Sequence, residues 1–482
     1  MAMAANKMRG QQISAGGHSI LELPNEVLHE VAIALPTDKD LIQLSLSCKE
    51  LMARILAPES GVWRGRFQGR YNVPAKKANN ELMFEYITRA IVLKAKIDFK
   101  EEEDDRQRLW MRVLRTMLQE SLTLPFHSLL PKTLKCIGDV IQKTNFLAEP
   151  LKPGKRSELF YALQLCLSAL SLDSAITQPC RRTDYDMEHI YSIEKGTLGD
   201  GFMEDESEDF NASETSSQSS GAETDESEET PEDDFGSPDS SDSSLESTDI
   251  ITNQPTSEPQ PFIDHKALDL ALLLEFHSFW QRHLLSYSEH TFYESFQALP
   301  DELKPQVRKE DPSKASLLST FWMGYYSCIH PFPFSLDDLE HRQTCGTHED
   351  EVEAMTLELT PHPELFWPSA CNKAVPLAKS VKTVRVAFEG KQGMHGPCPD
   401  ENDVFGFTEE IEVAYGGIQG WKRICFAICE RVDNEPADLS EGTDGWVHVY
   451  EAVIIPGGRT MLGRWMDLKE PSAKGPFIFW DV

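Results

Sequence analysis

Three groups of residues have the types and spacing to do chemistry. His341, Cys345 and His348, in LEHRQTCGTHEDE, are metal-ligand types on one short stretch. A structural zinc needs four ligands. Cys328, His330 and Cys371 would complete the set only if separate loops converged, so we expect a solvated loop and no metal. Cys425 and Cys429 are spaced to share one face of a strand, as buried thiols. His448 with a carboxylate and Arg385 would be an acid–base set only if all three met in one cavity. No G-x-S-x-G, no phosphate loop and no Cys–His pairing in a recognisable setting occurs. Gly416-Gly417-Ile418-Gln419-Gly420 lies between strands, which makes it a turn and not a nucleotide site. No cofactor and no bond chemistry are expected. Trp446, Tyr450, Arg464 and Trp465 suit binding, since Trp, Tyr and Arg dominate recognition hot spots. For the tryptophans the plainer role is core, and for Arg464 a solvated strand position.

Composition narrows the partners. The chain has 482 residues and a net charge of −33, from 46 basic and 79 acidic residues. That argues against nucleic acid, whose phosphates are bound by Lys and Arg, and against an anionic membrane surface. Residues 201–250 hold 18 acidic and no basic residues, leaving 46 basic against 61 acidic elsewhere. No apolar run approaches the ~20 residues of a membrane span, and the start lacks a signal-peptide core. The ten scattered Cys read as reduced thiols of a cytoplasmic or nuclear protein. Asn211-Ala-Ser213 matches a glycosylation sequon that such a protein would not use. Thr230-Pro and Ser237-Pro are possible phosphorylation sites in what is more simply a solvating spacer.

Periodicity supplies the elements. Residues 1–18 are expected to be disordered and 19–67 to form a compact helical unit. Residues 68–173 read as helices, from the spacing in ELMFEYITRAIVLKAKI, RQRLWMRVLRTMLQESL and SELFYALQLCLSALSL. The acidic, Ser-rich stretch 174–262 cannot bury enough apolar surface to order. It reads as an insertion, with the helical region 263–318 rejoining the helices before it. From 319 to 482 about eight β-type runs follow, with alternation at Met355, Leu357, Leu359 and at Val384, Val386, Phe388. Gly416-Gly417 and Pro456-Gly457-Gly458 fall where hairpins reverse. Eight antiparallel strands can close into a barrel; a sandwich is the other solution. The expected class is α+β multidomain: an N-terminal three-helix unit, a helical scaffold and a C-terminal barrel.

Inside the first unit, Leu23-Pro24 opens a helix lined by Val27, Leu28, Val31 and Leu35. Thr37 to Asp40 makes a capping box with Asp in the usual Glu place, and Leu41, Leu44, Cys48, Leu51, Met52 and Ile55 follow at helical spacing. The apolar positions cover more than one face per helix, so the surplus is buried elsewhere in the chain or in a partner. The order Leu23, Pro24, Glu26, Val27, Leu28, then Leu35-Pro36, Asp40-Leu41, Ser47-Cys48-Lys49, Leu51 and Trp63 resembles an F-box. That resemblance implies a helical plug for the Skp adaptor of a cullin–RING ubiquitin ligase, with contact through Leu23, Pro24, Val27, Leu28, Leu41 and Leu44. The following helices resemble, more loosely, those of fungal F-box proteins. Trp322-x-Gly324-Tyr325, Asp403-x-Phe405-Gly406-Phe407, Tyr450-Glu451, Pro456-Gly457-Gly458, Gly463-Arg464-Trp465 and Gly475 to Trp480 resemble the calycin-type barrel of some F-box-only proteins. Ala452 stands where Gly is expected, and the turn GMHGPCPDEND is stretched. The implied function is recruitment of a protein substrate by the barrel to an SCF-type ligase, without catalysis by this chain. The alternatives are a barrel holding a small molecule or lipid, with the F-box controlling the protein's own turnover, and an enzyme site on the barrel.

Overall fold

The structure, a computed structural model, describes residues 19–72, 76–123, 132–149, 156–170, 172, 185–186, 189–190, 263–264, 267–287, 290–306, 320–327, 353–377, 384–395, 401–432, 435–436, 445–470 and 473–482. Residues 1–18, nearly all of 174–262, and the His341–Cys345–His348 stretch lie outside them. The described chain is α+β: helices from Asn25 to Ala298, then a closed eight-strand antiparallel barrel that carries one short helix between two of its strands.

The N-terminal unit holds four helices, not three: α1 (Asn25–Ala34), α2 (Asp38–Leu46), α3 (Lys49–Ile55) and α4 (Gly61–Arg70). Pro24 is the residue before α1, where it gives up no helical bond. The Thr37–Asp40 capping box forms: Asp40 N donates to Thr37 Oγ1 at 3.1 Å, and Thr37 N to Asp40 Oδ2 at 3.2 Å. The run from Leu41 to Ile55 is broken at Ser47–Cys48, because Cys48 turns extended and its Sγ caps the next helix through Leu51 N. Trp63 and Phe67 face the larger core beyond this unit, and α4 runs past 67 to Arg70.

The scaffold comprises α5 (Asn79–Val92), α6 (Asp105–Thr123), α7 (Lys132–Thr144), α8 (Glu158–Leu170), α9 (Leu270–Leu285) and α10 (His290–Ala298). The apolar spacing read above does not single out α7. It lies beyond a Pro-containing break, yet Leu134, Ile137, Val140 and Ile141 bury one stripe of it. α8 packs on α9, across the acidic stretch that separates them in sequence.

The barrel strands are β1 (Phe321–Tyr326), β2 (Met355–His362), β3 (Arg385–Met394), β4 (Asn402–Glu410), β5 (Lys422–Cys429), β6 (Val447–Ile454), β7 (Thr460–Asp467) and β8 (Lys474–Asp481). Each pairs with the next, and β8 closes on β1 with Phe479 opposite Gly324. Met355, Leu357, Leu359 and Phe388 point into the barrel as alternation predicts. Val384 does not join them, since β3 begins at Arg385 and Val384 is 77% exposed. A short helix, α11 (Ser369–Ala374), interrupts the all-strand pattern and covers Cys425, Ala427 and Phe407 on the outer face. Burial pushes the thiols of Cys371 and Cys429 up to about 12 and that of Cys425 upward too. Another outer face, with Met323, Tyr325, Leu462, Ile478 and Trp480, joins the helical core.

Candidate functional site

Two places answer to the residues singled out by sequence. The first is the N-terminal unit. Its own core is Leu28, Ala32, Leu41, Leu51, Ile55 and Val62. So Leu28 and Leu41 pack inward, at 0% and 2% exposure, while Leu23 and Leu44 are half-buried and Pro24 is exposed. Val27 is 45% exposed. Exposed as well are side chains outside the six expected contacts: Val31 one turn along α1, Ile42 and Leu46 one turn apart on α2, and Met52 on α3. Among the described residues fourteen large apolar side chains are exposed, and six of them fall between Ile20 and Met52. Such a density of exposed apolar side chains in so short a stretch is unusual for a surface that faces only water. Arg54 fixes the entry to α1: its Nη1 donates to Leu21 O at 2.9 Å and its Nε to Asn25 Oδ1 at 2.7 Å.

The second place is the barrel end where β6 starts and β7 finishes. Antiparallel pairing sets His448 opposite Asp467 and Tyr450 opposite Trp465. His448 Nε2 lies 3.2 Å from Asp467 Oδ2. Burial would raise the Asp467 carboxyl, but hydrogen bonds from His448 and from the Glu470 and Lys469 amides hold it below its usual value. Trp446 stacks on the imidazole with centroids 4.3 Å apart, and Trp465 lies 4.7 Å from the same ring. Trp465 Nε1 donates to Ser327 O at 2.8 Å. Between the neighbouring strands β3 and β4, Asn402 Nδ2 donates to Gln392 Oε1 at 2.6 Å.

Below this rim the rings continue inward. Tyr450 stacks on Phe426 at 4.6 Å, and Phe477 meets both. Trp322, Phe426, Tyr450, Phe477 and Phe479 show no more than 1% exposure, so no water-sized space adjoins them. This part of the barrel is filled rather than hollow.

Of the four binding candidates, Trp446, Tyr450 and Trp465 therefore share the inward face, with only Trp446 half-buried near the opening. Arg464 points the other way. It lies on the outer face 3.6 Å from Glu451. Glu451 also binds Arg423, at 2.7 Å, and Arg423 binds Glu409, at 3.0 Å. Arg385 completes this alternating belt at 3.0 Å from Glu409. Arg385 thus shares no cavity with His448, and the three-group acid–base set does not assemble. Among the described residues no cluster of His, Cys, Asp and Glu could hold a metal, and no helix is long and apolar enough to cross a membrane.

The rim offers aromatic faces for an apolar or planar group and a His–carboxylate pair for a polar one. The His448–Asp467 pairing escaped the sequence reading. Counting back from the Pro456-Gly457-Gly458 turn would have found it, because that turn fixes the register of both strands. In comparisons with known proteins, the chain matches no family model, no curated protein and no solved structure.

Proposed function

We propose that this chain is a substrate-recognition subunit of an SCF-type cullin–RING ubiquitin ligase. Residues 19–70 bind the Skp adaptor, and the rim of the barrel around Trp446 and His448 takes a segment of the protein substrate. The chain contributes effective concentration, holding a substrate beside catalytic parts carried on other chains.

The observation that carries this reading is the apolar face of α1 to α3. Val27, Val31, Ile42 and Leu46 are exposed in i, i+4 pairs on helices whose adjacent faces already have a core. Paired ridges of this kind pack into the grooves of another helical surface. The F-box order of residues in the same stretch adds to it. A small molecule inside the barrel is disfavoured by the ring-filled interior.

The test is binding of the full chain to purified Skp adaptor, beside a Val27→Asp/Leu46→Asp variant. Both side chains are exposed, so the fold should survive and near-UV circular dichroism should match wild type. Leu28→Asp would be uninformative, because Leu28 is core. We expect a stable wild-type complex and a loss of at least about 100-fold in the variant, since hot-spot losses reach several kcal/mol. Equal binding by both proteins, or none by wild type, would sink the proposal.

A further inference from the structure

The end of α4, α5 with the turn after it, and α7 enclose a groove of about 850 Å³. Seven of its seventeen lining residues are Lys or Arg, and one, Asp139, is acidic. In a chain of net charge −33 this is a local reversal of sign.

Three of the seven cations already have carboxylates. Arg89 is buried between Glu85 and Glu120. Arg70 and Lys94 lie 3.1 and 3.5 Å from Asp38. The other four are lysines. Lys132 donates to the Gln68 carbonyl at 2.6 Å but has no ion pair among the described residues. Lys96, Lys135 and Lys143 are exposed and have no ion-pair partner among them either. Lys96 lies on one wall, and Lys135 and Lys143, two turns apart, lie on the other. The floor between the walls is aliphatic, with Leu93, Ile97 and Val140.

We propose that this groove docks an acidic peptide segment of a partner protein, with carboxylates toward the lysine rim and aliphatic side chains on the floor. Charge complementarity selects the occupant: a cationic rim attracts anions and fixes their register. The floor selects peptide over nucleic acid. Single strands are held by stacking on aromatic faces, and the one aromatic residue here, Tyr71, is 3% exposed and covered by Arg89 at 4.7 Å. The unpaired cations are all lysines, point charges without the bidentate fork that favours phosphate. This site is separate from the exposed face of α1 to α3 and does not rest on the ligase reading.

The test is fluorescence anisotropy on the full chain. The probes are a short labelled peptide with Glu and Leu at helical spacing, its Gln counterpart, and a labelled single-stranded oligonucleotide. The Glu peptide should bind, and the Gln peptide should bind at least about tenfold more weakly. Lys135→Glu/Lys143→Glu should weaken the Glu peptide at least about tenfold, and Lys96→Glu should do so from the opposite wall. These side chains are exposed, and near-UV circular dichroism matching wild type would show that the fold of the variants is intact. Equal binding of the Glu and Gln peptides, or no effect of either variant, would overturn the proposal. So would an oligonucleotide that binds more tightly than the peptide and is lost in the variants.

Discussion

Asp38, in the first turn of α2, takes hydrogen bonds from Tyr86 Oη at 2.6 Å, Arg66 Nη2 at 2.7 Å and Arg70 Nη1 at 3.1 Å. It therefore ties the N-terminal unit to α5. Burial alone would raise its carboxyl, but the Tyr86 and Arg66 hydrogen bonds and the Arg70 and Arg66 charges bring it from 3.8 to about 2. A carboxyl lower in the folded than in the unfolded chain binds fewer protons folded. Its stabilisation is whole above the ordinary value and is lost as pH falls toward about 2. The group is partly exposed and screened, so we expect Asp38→Asn to cost roughly 1 kcal/mol at pH 7. That difference should shrink as pH drops through 4 to 2, read from urea unfolding of both proteins. A difference that stays constant across this range would show that the ionised form is not what matters. The outer-face belt is a different case. Arg423 is 1% exposed between Glu409 and Glu451, where loss of one member leaves buried charge without compensation.

At the scale of elements the barrel depends on four glycines. A Cβ on Gly324, Gly390, Gly406 or Gly463 would come within 1.9 to 2.2 Å of a carbonyl oxygen on the neighbouring strand. Those carbonyls belong to the ladder and cannot swing aside, so the bare positions let the strands curve tightly into a closed wall. Gly406→Ala should cost at least about 2 kcal/mol, more than typical overpacking by one methyl. Gly69→Ala in α4 meets nothing within 4 Å and should change stability by no more than about 1 kcal/mol, on the favourable side. Thermal melts of the two variants make the comparison; equal melting points would refute the role given to Gly406. These elements also show how far the sequence could be read. All eight strands were legible, because alternation and Gly-Gly turns are local signals. Closure into a barrel was expected and is met by the β8–β1 pairing, although strand count alone allowed a sandwich too. In the N-terminal unit, the apolar surplus was visible but its owners were not. Neighbouring residues on a helix, such as Val27 and Leu28, both fit the periodic stripe, and only the packed core shows which one turns outward. Arg464 parts from the tryptophans for a related reason: Gly463-Arg464-Trp465 alternates across the wall, so Arg464 and Trp465 face opposite ways.

At the scale of the molecule, helices and barrel share one core. Met323, Tyr325, Leu462, Ile478 and Trp480 on the outer wall belong to the same apolar cluster as Trp110, Phe160 and Trp280 on the helices. Polar contacts lock the same joint. Gln119 Nε2 donates to Gly417 O at 2.7 Å, and Gly416 N donates to the Glu158 carboxylate. Gly416, at a φ of +57°, leaves so little room that a Cβ there would lie 2.7 Å from Leu159 Cα. On the proposed function, a substrate held at the barrel rim would thereby be set rigidly with respect to the helices, as transfer to a fixed catalytic partner would require. The 319–482 stretch has the length of a separate domain, yet cut free it would expose a wall of large apolar side chains. Expressed alone, it should aggregate or associate rather than give a monomer with native near-UV circular dichroism. The full chain should unfold its helices and barrel in one coincident transition, followed by helical and aromatic signals together. A well-folded monomeric fragment, or two separated transitions, would mean that the barrel rides on the helices as an independent body. In the proposed ligase role, positioning of a substrate would then have to come from something other than this shared core.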